Sequence, residues 1–164
     1  MEGIGLSAGV KGIGVTFEEF YRREFPRVYR AAWFLARHDH DALEATQEAF
    51  ARAFARWRRL GGQEWVAGWV MTTALNLLRR RRREVPVAEP METDAAAPTS
   101  NAVDLQRALH LLPRRQREAL VLFYVGDLSV HAVATLMRVS EGTVKAHLSR
   151  GRQTLRDGLE IRHD

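Results

Sequence analysis

Three groupings of residues in this chain have types and spacings that could do chemistry. The first is Thr143, Lys145, His147, Ser149, Arg150 and Arg152. Val144 and Leu148 are four apart and face a core, so these six point elsewhere; hydroxyls, an imidazole and cations are the groups that reach base edges and phosphates in a major groove. The second is Asn76 followed by the arginine run 79–83. Asn76 offers both donor and acceptor, and Arg79, Arg80 and Arg83 belong to a run that would hold phosphates in a salt-dependent way. Arginines at a helix end also complement its dipole, but five in succession exceed that need. The third is Asp41, Glu44 and Glu48 on one helical stripe, with Gln47 beside them. An acidic stripe in a basic segment suits a basic protein partner better than DNA. Its bland alternative is a solvated face, with Glu48 paired to Arg52 at i+4.

Helices must position all three. Thr16 with Glu19 is a capping-box signature, and Phe17, Phe20, Tyr21, Val28, Tyr29 and Ala32 follow at helical spacing, with a kink or break expected near Pro26. A second helix is expected over 41–59, with Leu43, Thr46, Phe50, Ala53, Phe54 and Trp57 inward and Gly61-Gly62 as its stop. A third is expected over 64–83, with Val66, Trp69, Val70, Thr73, Leu77 and Leu78 apolar. Beyond residue 103 four helices are expected: 103–112, one from Pro113 to about 124, one near 130–137 capped by Ser129, and one from 141 to about 159 capped by Ser140. No stretch alternates with period two, so no sheet is expected. The pair around Arg138-Val139-Ser140 has the form of a helix-turn-helix.

Charge divides the chain. Residues 1–84 and 103–164 carry net charges of +5 and +3, whereas residues 85–102 hold three acids, no base and three prolines, and read as a linker. The 164 residues, 46% hydrophobic and 27% charged, are enough for two small domains with cores. Only two of 25 basic residues are Lys; Arg forks onto phosphates and bases, so the balance tilts toward nucleic acid. Absence of cysteine excludes a disulfide framework, a thiolate zinc site and a cysteine nucleophile, and fits a reducing cytoplasm. No apolar run approaches the roughly 20 residues a membrane span needs, so no membrane insertion is expected. The glycine-rich residues 1–15 have no signal-peptide pattern and are expected to be disordered. His38, Asp39, His40 and Asp41 come nearest to a metal set and read as a polar interhelical turn; neither metal nor cofactor is expected.

Leu112-Pro113-Arg114-Arg115-Gln116-Arg117-Glu118-Ala119-Leu120, Gly126-Asp127-Leu128-Ser129 and Val139-Ser140-Glu141-Gly142-Thr143-Val144-Lys145 resemble region 4 of the extracytoplasmic-function (ECF) sigma factors of the sigma-70 family. The string from Asp41 to Phe50 resembles the region 2 helix that docks on the polymerase clamp helices, and Gly68-Trp69-Val70 with Ala74-Leu75-Asn76-Leu77-Leu78 resembles the part that melts the −10 element. Three departures stand out: Arg138 where the family often has Gly, Ala132 where an acid is common, and Arg80 where an acid usually follows the asparagine. If Arg138 needs a positive φ, it costs up to about 1 kcal/mol.

The resemblance implies an all-α chain of two small helical domains, region 2 over 16–84 and region 4 over 103–164, joined by a flexible linker. It implies a non-enzymatic factor whose partners are core RNA polymerase, promoter DNA and an anti-sigma factor. Asp41, Glu44, Gln47 and Glu48 would meet polymerase. Asn76, Arg79, Arg80, Arg83 and Trp65 would meet the −10 element, with the loop 60–63 cradling a flipped base, and Trp69 packing in the core. Thr143, Lys145, His147, Ser149, Arg150 and Arg152 would meet the −35 element. Two alternatives remain open: a sigma-like decoy that binds an anti-sigma factor without supporting transcription, and a LuxR-type regulator, which would need a receiver domain with strands.

Overall fold

The computed structural model describes residues 14–84 and 99–160, and every regular element among them is helical. The N-terminal extension up to residue 13 and linker residues 85–98 lie outside the described residues.

The first half contains α1 (Phe17–Leu35), α2 (Asp39–Ala55), the single turn α3 (Trp57–Leu60) and α4 (Val66–Glu84). Thr16 starts α1 with a full capping box: its Oγ1 accepts from the Glu19 backbone at 3.2 Å, and the Glu19 carboxylate accepts from the Thr16 backbone at 2.8 Å. Pro26 lies inside α1 and does not end it; of the kink or break expected there, the break does not occur. Trp33 at the end of α1 donates its indole N–H to Asp39 at 2.6 Å, tying the start of α2 to α1. Gly62, at φ 82, closes the turn after α3.

Alanines make the α1–α2 contact close. Ala31, Ala32, Ala42, Ala45, Ala49 and Ala53 are buried, and Val28, Phe50, Val66, Val70 and Met71 fill the space between the helices. The apolar faces read from periodicity were each turned slightly. Leu43 and Phe54 are exposed, because the alanines of α2 take the inward positions. In α4, Met71, Ala74 and Leu75 are buried, while Trp69, Thr73 and Leu77 are only half-buried.

The second half contains α5 (Ser100–His110), α6 (Arg114–Leu120), a π-helical turn over Val121–Val125, α7 (Val130–Met137) and α8 (Glu141–Glu160). α5 begins at Ser100, so the last residues of the expected linker are helical. The expected helix from Pro113 to about 124 becomes α6 plus the π turn. Its end requires Gly126, where a Cβ would lie 2.7 Å from the Leu122 carbonyl oxygen. Asp127 then takes φ 53. Ser129 caps α7 by accepting from the Ala132 backbone at 3.1 Å, without help from an acid at that position.

The halves pack against each other. Gln106 in α5, fully buried, donates its side-chain amide to the Trp33 carbonyl at 2.8 Å. Arg27 in α1 donates to the Gly126 carbonyl at 3.2 Å, and Arg79 in α4 lies 3.4 Å from Glu118 in α6. Leu35, Leu75, Leu78 and Leu122 line a small cleft beside that ion pair. The buried apolar residues of both halves therefore form one continuous cluster.

Candidate nucleic-acid interface

The helix-turn-helix is built by α7 and α8. Arg138 ends α7 in the left-handed region, at φ 55 and ψ 47. The Val139 N–H reaches the Ala134 carbonyl at 3.1 Å and the Arg138 N–H the Thr135 carbonyl at 3.3 Å, the paired bonds of a Schellman motif. This is the position where a glycine was expected, and the arginine adopts the strained conformation. Ser140 then caps α8, its Oγ accepting from the Thr143 backbone at 3.1 Å. Val144 and Leu148 are buried and fix the rotation of α8. Gly151 is buried against α6, where an added Cβ would lie 2.7 Å from Leu120 Cδ1.

That rotation exposes Lys145, Ser149, Arg150 and Arg152. It does not free the other two expected members. The Thr143 hydroxyl lies 2.8 Å from Ser140 Oγ, within the cap. His147 is half-buried, its Nδ1 enclosed without a hydrogen-bond partner. The open polar face of α8 is thus narrower than the spacing alone suggested. Sequence reasoning missed Tyr124, more than half exposed, whose hydroxyl accepts from Arg152 at 3.0 Å and steadies that guanidinium. Its separation of 28 residues from Arg152 left no local signal.

On α4, Asn76 and Arg80 are exposed. Arg79 is half-buried and donates to Asn76 Oδ1 at 3.3 Å while facing Glu118. Arg83 lies on α4, its side chain outside the described residues. Trp65 is 53% exposed just before α4. At about 1.5 Å rise per residue it stands more than ~15 Å from Asn76, which lies near the middle of the helix, so the two are separate contact points.

The acidic stripe on α2 is countered from within the chain. Glu48 accepts from Arg52 at 2.8 Å, the i+4 pair of the bland alternative. Asp41 lies 3.3 Å from Arg81, and Glu44 meets both Arg81 and, at 2.9 Å, His40. The hydrogen bond from Arg81 is the main cause holding the Glu44 carboxyl below the usual carboxylate range, and the bond to Glu44 raises the Arg81 guanidinium in turn. Gln47 is exposed beside them. Among the described residues, no group of three or more histidines and acids could hold a metal ion, and no helix is long and apolar enough to cross a membrane.

Two family models match the chain: sigma-70 region 2 over residues 20–84 and sigma-70 region 4 over residues 102–155. The ECF RNA polymerase sigma factor SigE of Mycolicibacterium smegmatis is 32% identical over 88% of this chain, which spans 62% of that protein's length. The ECF RNA polymerase sigma factor SigM of Mycobacterium tuberculosis is 31% identical over 92% of this chain and 80% of its own. In fold, the chain is similar to the sigma factor RpoE of Bartonella quintana, solved with the anti-sigma factor NepR. The TM-score is 0.73 at 23% identity, covering 88% of this chain and 97% of that one. The chain belongs to the ECF sigma factors of the sigma-70 family, which are transcription initiation factors and not enzymes.

Proposed function

We infer that this chain binds core RNA polymerase and directs it to a specific class of promoter, with its first half opening the −10 element and its second half holding the −35 duplex. The observation that carries the reading is the exposed row Lys145, Ser149, Arg150 and Arg152 on a helix capped by Ser140 and anchored by buried Val144 and Leu148. A rigid, capped helix with cations and a hydroxyl on its open face fits a major groove. Asn76 at the middle of α4 and Arg80 one turn further on, both exposed, supply hydrogen bonds and phosphate contacts to the melted strand, with Arg79 and Arg83 in the same run. Trp65 offers an exposed ring for stacking just before the start of that helix. The stripe of Asp41, Glu44, Gln47 and Glu48 docks on basic polymerase side chains. Transcription places the protein in the cytoplasm. An anti-sigma factor is its regulatory partner, supported by the RpoE relative having been solved in such a complex.

In vitro transcription tests this directly. Purified protein, bacterial core polymerase and sheared genomic DNA should yield discrete starts that share upstream elements. Binding to core without any starts would instead favour a decoy, and no binding to core would remove the docking role of α2.

A further inference from the structure

We propose that Arg81 is a charge latch, occupying in the free chain the Asp41 and Glu44 carboxylates that a basic partner takes, and passing to nucleic-acid phosphate when that partner docks. The proposal rests on the reading that α2 meets polymerase, and adds how docking there is linked to DNA binding by α4.

The geometry is specific. Arg81 lies 40 residues from Asp41 in sequence, yet α4 runs alongside α2 so that one guanidinium reaches both carboxylates. Both contacts are made by Nη1, whose two N–H groups serve the two carboxylates. The remaining Glu44 oxygen faces His40, and Glu48 faces Arg52. An acidic stripe that sequence presents as an open row of charges is therefore largely neutralised by its own chain. A cation arriving from a partner must displace Arg81 before it can pair with Asp41 or Glu44. That exchange replaces one ion pair by another, so its net cost is small, and it strands the displaced guanidinium on α4.

The place where Arg81 is released matters. It lies within one turn of Arg79 and Arg80, in a run of five arginines. In the closed arrangement Arg79 faces Glu118 and Arg81 faces Asp41 and Glu44, so two of the run's cations are already occupied. Docking at α2 returns one of them to the phosphate-binding face. Linkage makes the effect reciprocal: if partner binding strengthens DNA binding through Arg81, DNA binding strengthens partner binding by the same factor.

Four full-length proteins test the latch: wild type, Arg81→Gln, Asp41→Asn/Glu44→Gln, and the triple variant. Each is titrated with bacterial core polymerase and, separately, with a 20-nucleotide oligo-dT strand, at low and high salt. Arg81→Gln should bind core three- to tenfold more tightly at low salt, a gain that shrinks as salt rises and vanishes in the Asp41→Asn/Glu44→Gln background. In the free protein, Asp41→Asn/Glu44→Gln should bind oligo-dT three- to tenfold more tightly, and Arg81→Gln should erase most of that gain. Additive effects on oligo-dT, the result expected of long-range charge alone, would overturn the release of Arg81. If the acid variant loses core affinity while Arg81→Gln gains none, α2 docks polymerase but Arg81 does not mask it. If the acid variant binds core like wild type, the docking reading of α2 fails, and the oligo-dT cycle still decides the release. Arg81→Lys, which keeps the charge on a shorter side chain, should fall between wild type and Arg81→Gln, and far-UV circular dichroism should be the same for all five proteins.

Discussion

Arg79 of α4 and Glu118 of α6 form an ion pair, at 3.4 Å, that joins the two halves of the molecule. The Glu118 side chain is 5% exposed and also faces Arg114 at 3.1 Å and Arg115 at 3.8 Å, so one buried carboxylate gathers three guanidiniums. The same arginine belongs to the candidate −10 surface, and the closed arrangement half-buries it.

Glu118→Gln should therefore both destabilise and loosen the molecule. Removing one charge leaves three cations around a neutral amide, at a cost of about 1–3 kcal/mol. Urea denaturation should show the loss, and small-angle scattering a larger radius of gyration. Unchanged dimensions would mean that the apolar contacts of Leu35, Leu78 and Leu122 suffice.

Arg138→Gly should stabilise the fold. A left-handed conformation at φ 55 costs an L-residue about 1 kcal/mol relative to glycine. Thermal unfolding should move upward by a few degrees; a fall would show that the arginine side chain makes a compensating contact.

Lys145→Ala and Arg150→Ala should each weaken binding to promoter duplex by roughly tenfold, consistent with about 1–3 kcal/mol for a base contact. A loss that depends on the −35 sequence marks a base contact. A uniform loss, with a salt slope reduced by about one, marks a phosphate contact. Ser149→Ala should have a smaller effect, and gel-shift or anisotropy titrations separate the cases.

Gly151→Val should cost about 1–3 kcal/mol by forcing α8 away from Leu120. It should also reduce duplex affinity, because the same contact sets the position of Arg150 and Arg152. Pairing it with Leu120→Ala should recover part of both losses.

Acid should weaken the start of α1. Hydrogen bonds from the Thr16 backbone and hydroxyl hold the Glu19 carboxyl below its ordinary range. A carboxylate with a depressed folded-state value stabilises above its unfolded value, and loses that contribution as pH falls through the folded one. Glu19→Gln should make thermal stability less sensitive to pH across the acid limb, as seen by calorimetry between about pH 5 and pH 2.

Local signals in the sequence were legible wherever one element decides its own geometry. Thr16 with Glu19, Ser129 and Ser140 each cap the helix that their spacing announces; the helix expected to run to the glycines at 61–62 instead ends at Ala55, and the single turn α3 reaches them. Val144 and Leu148 were placed inward because four residues make one helical turn. What a single helix cannot announce is which neighbour it meets. Leu43 and Phe54 read as core because they are apolar, yet alanines win the inward positions where α1 and α2 approach closely. Arg81 meets Asp41 across 40 residues, and Gln106 meets Trp33 across 73. His147 was read as part of an open face because spacing excludes it from the core stripe, but an intermediate position on a packed helix remains half-covered.

The bond from Gln106 runs to the main-chain carbonyl of Trp33, not to its ring. Any residue at that position would present the same oxygen, so this tie between the halves is written into the sequence of one half only. Side chains of α1 can drift at position 33 without cancelling it, whereas a change at Gln106 deletes it at once. A graft that places the first half of a distant relative before this second half keeps that part of the joint intact.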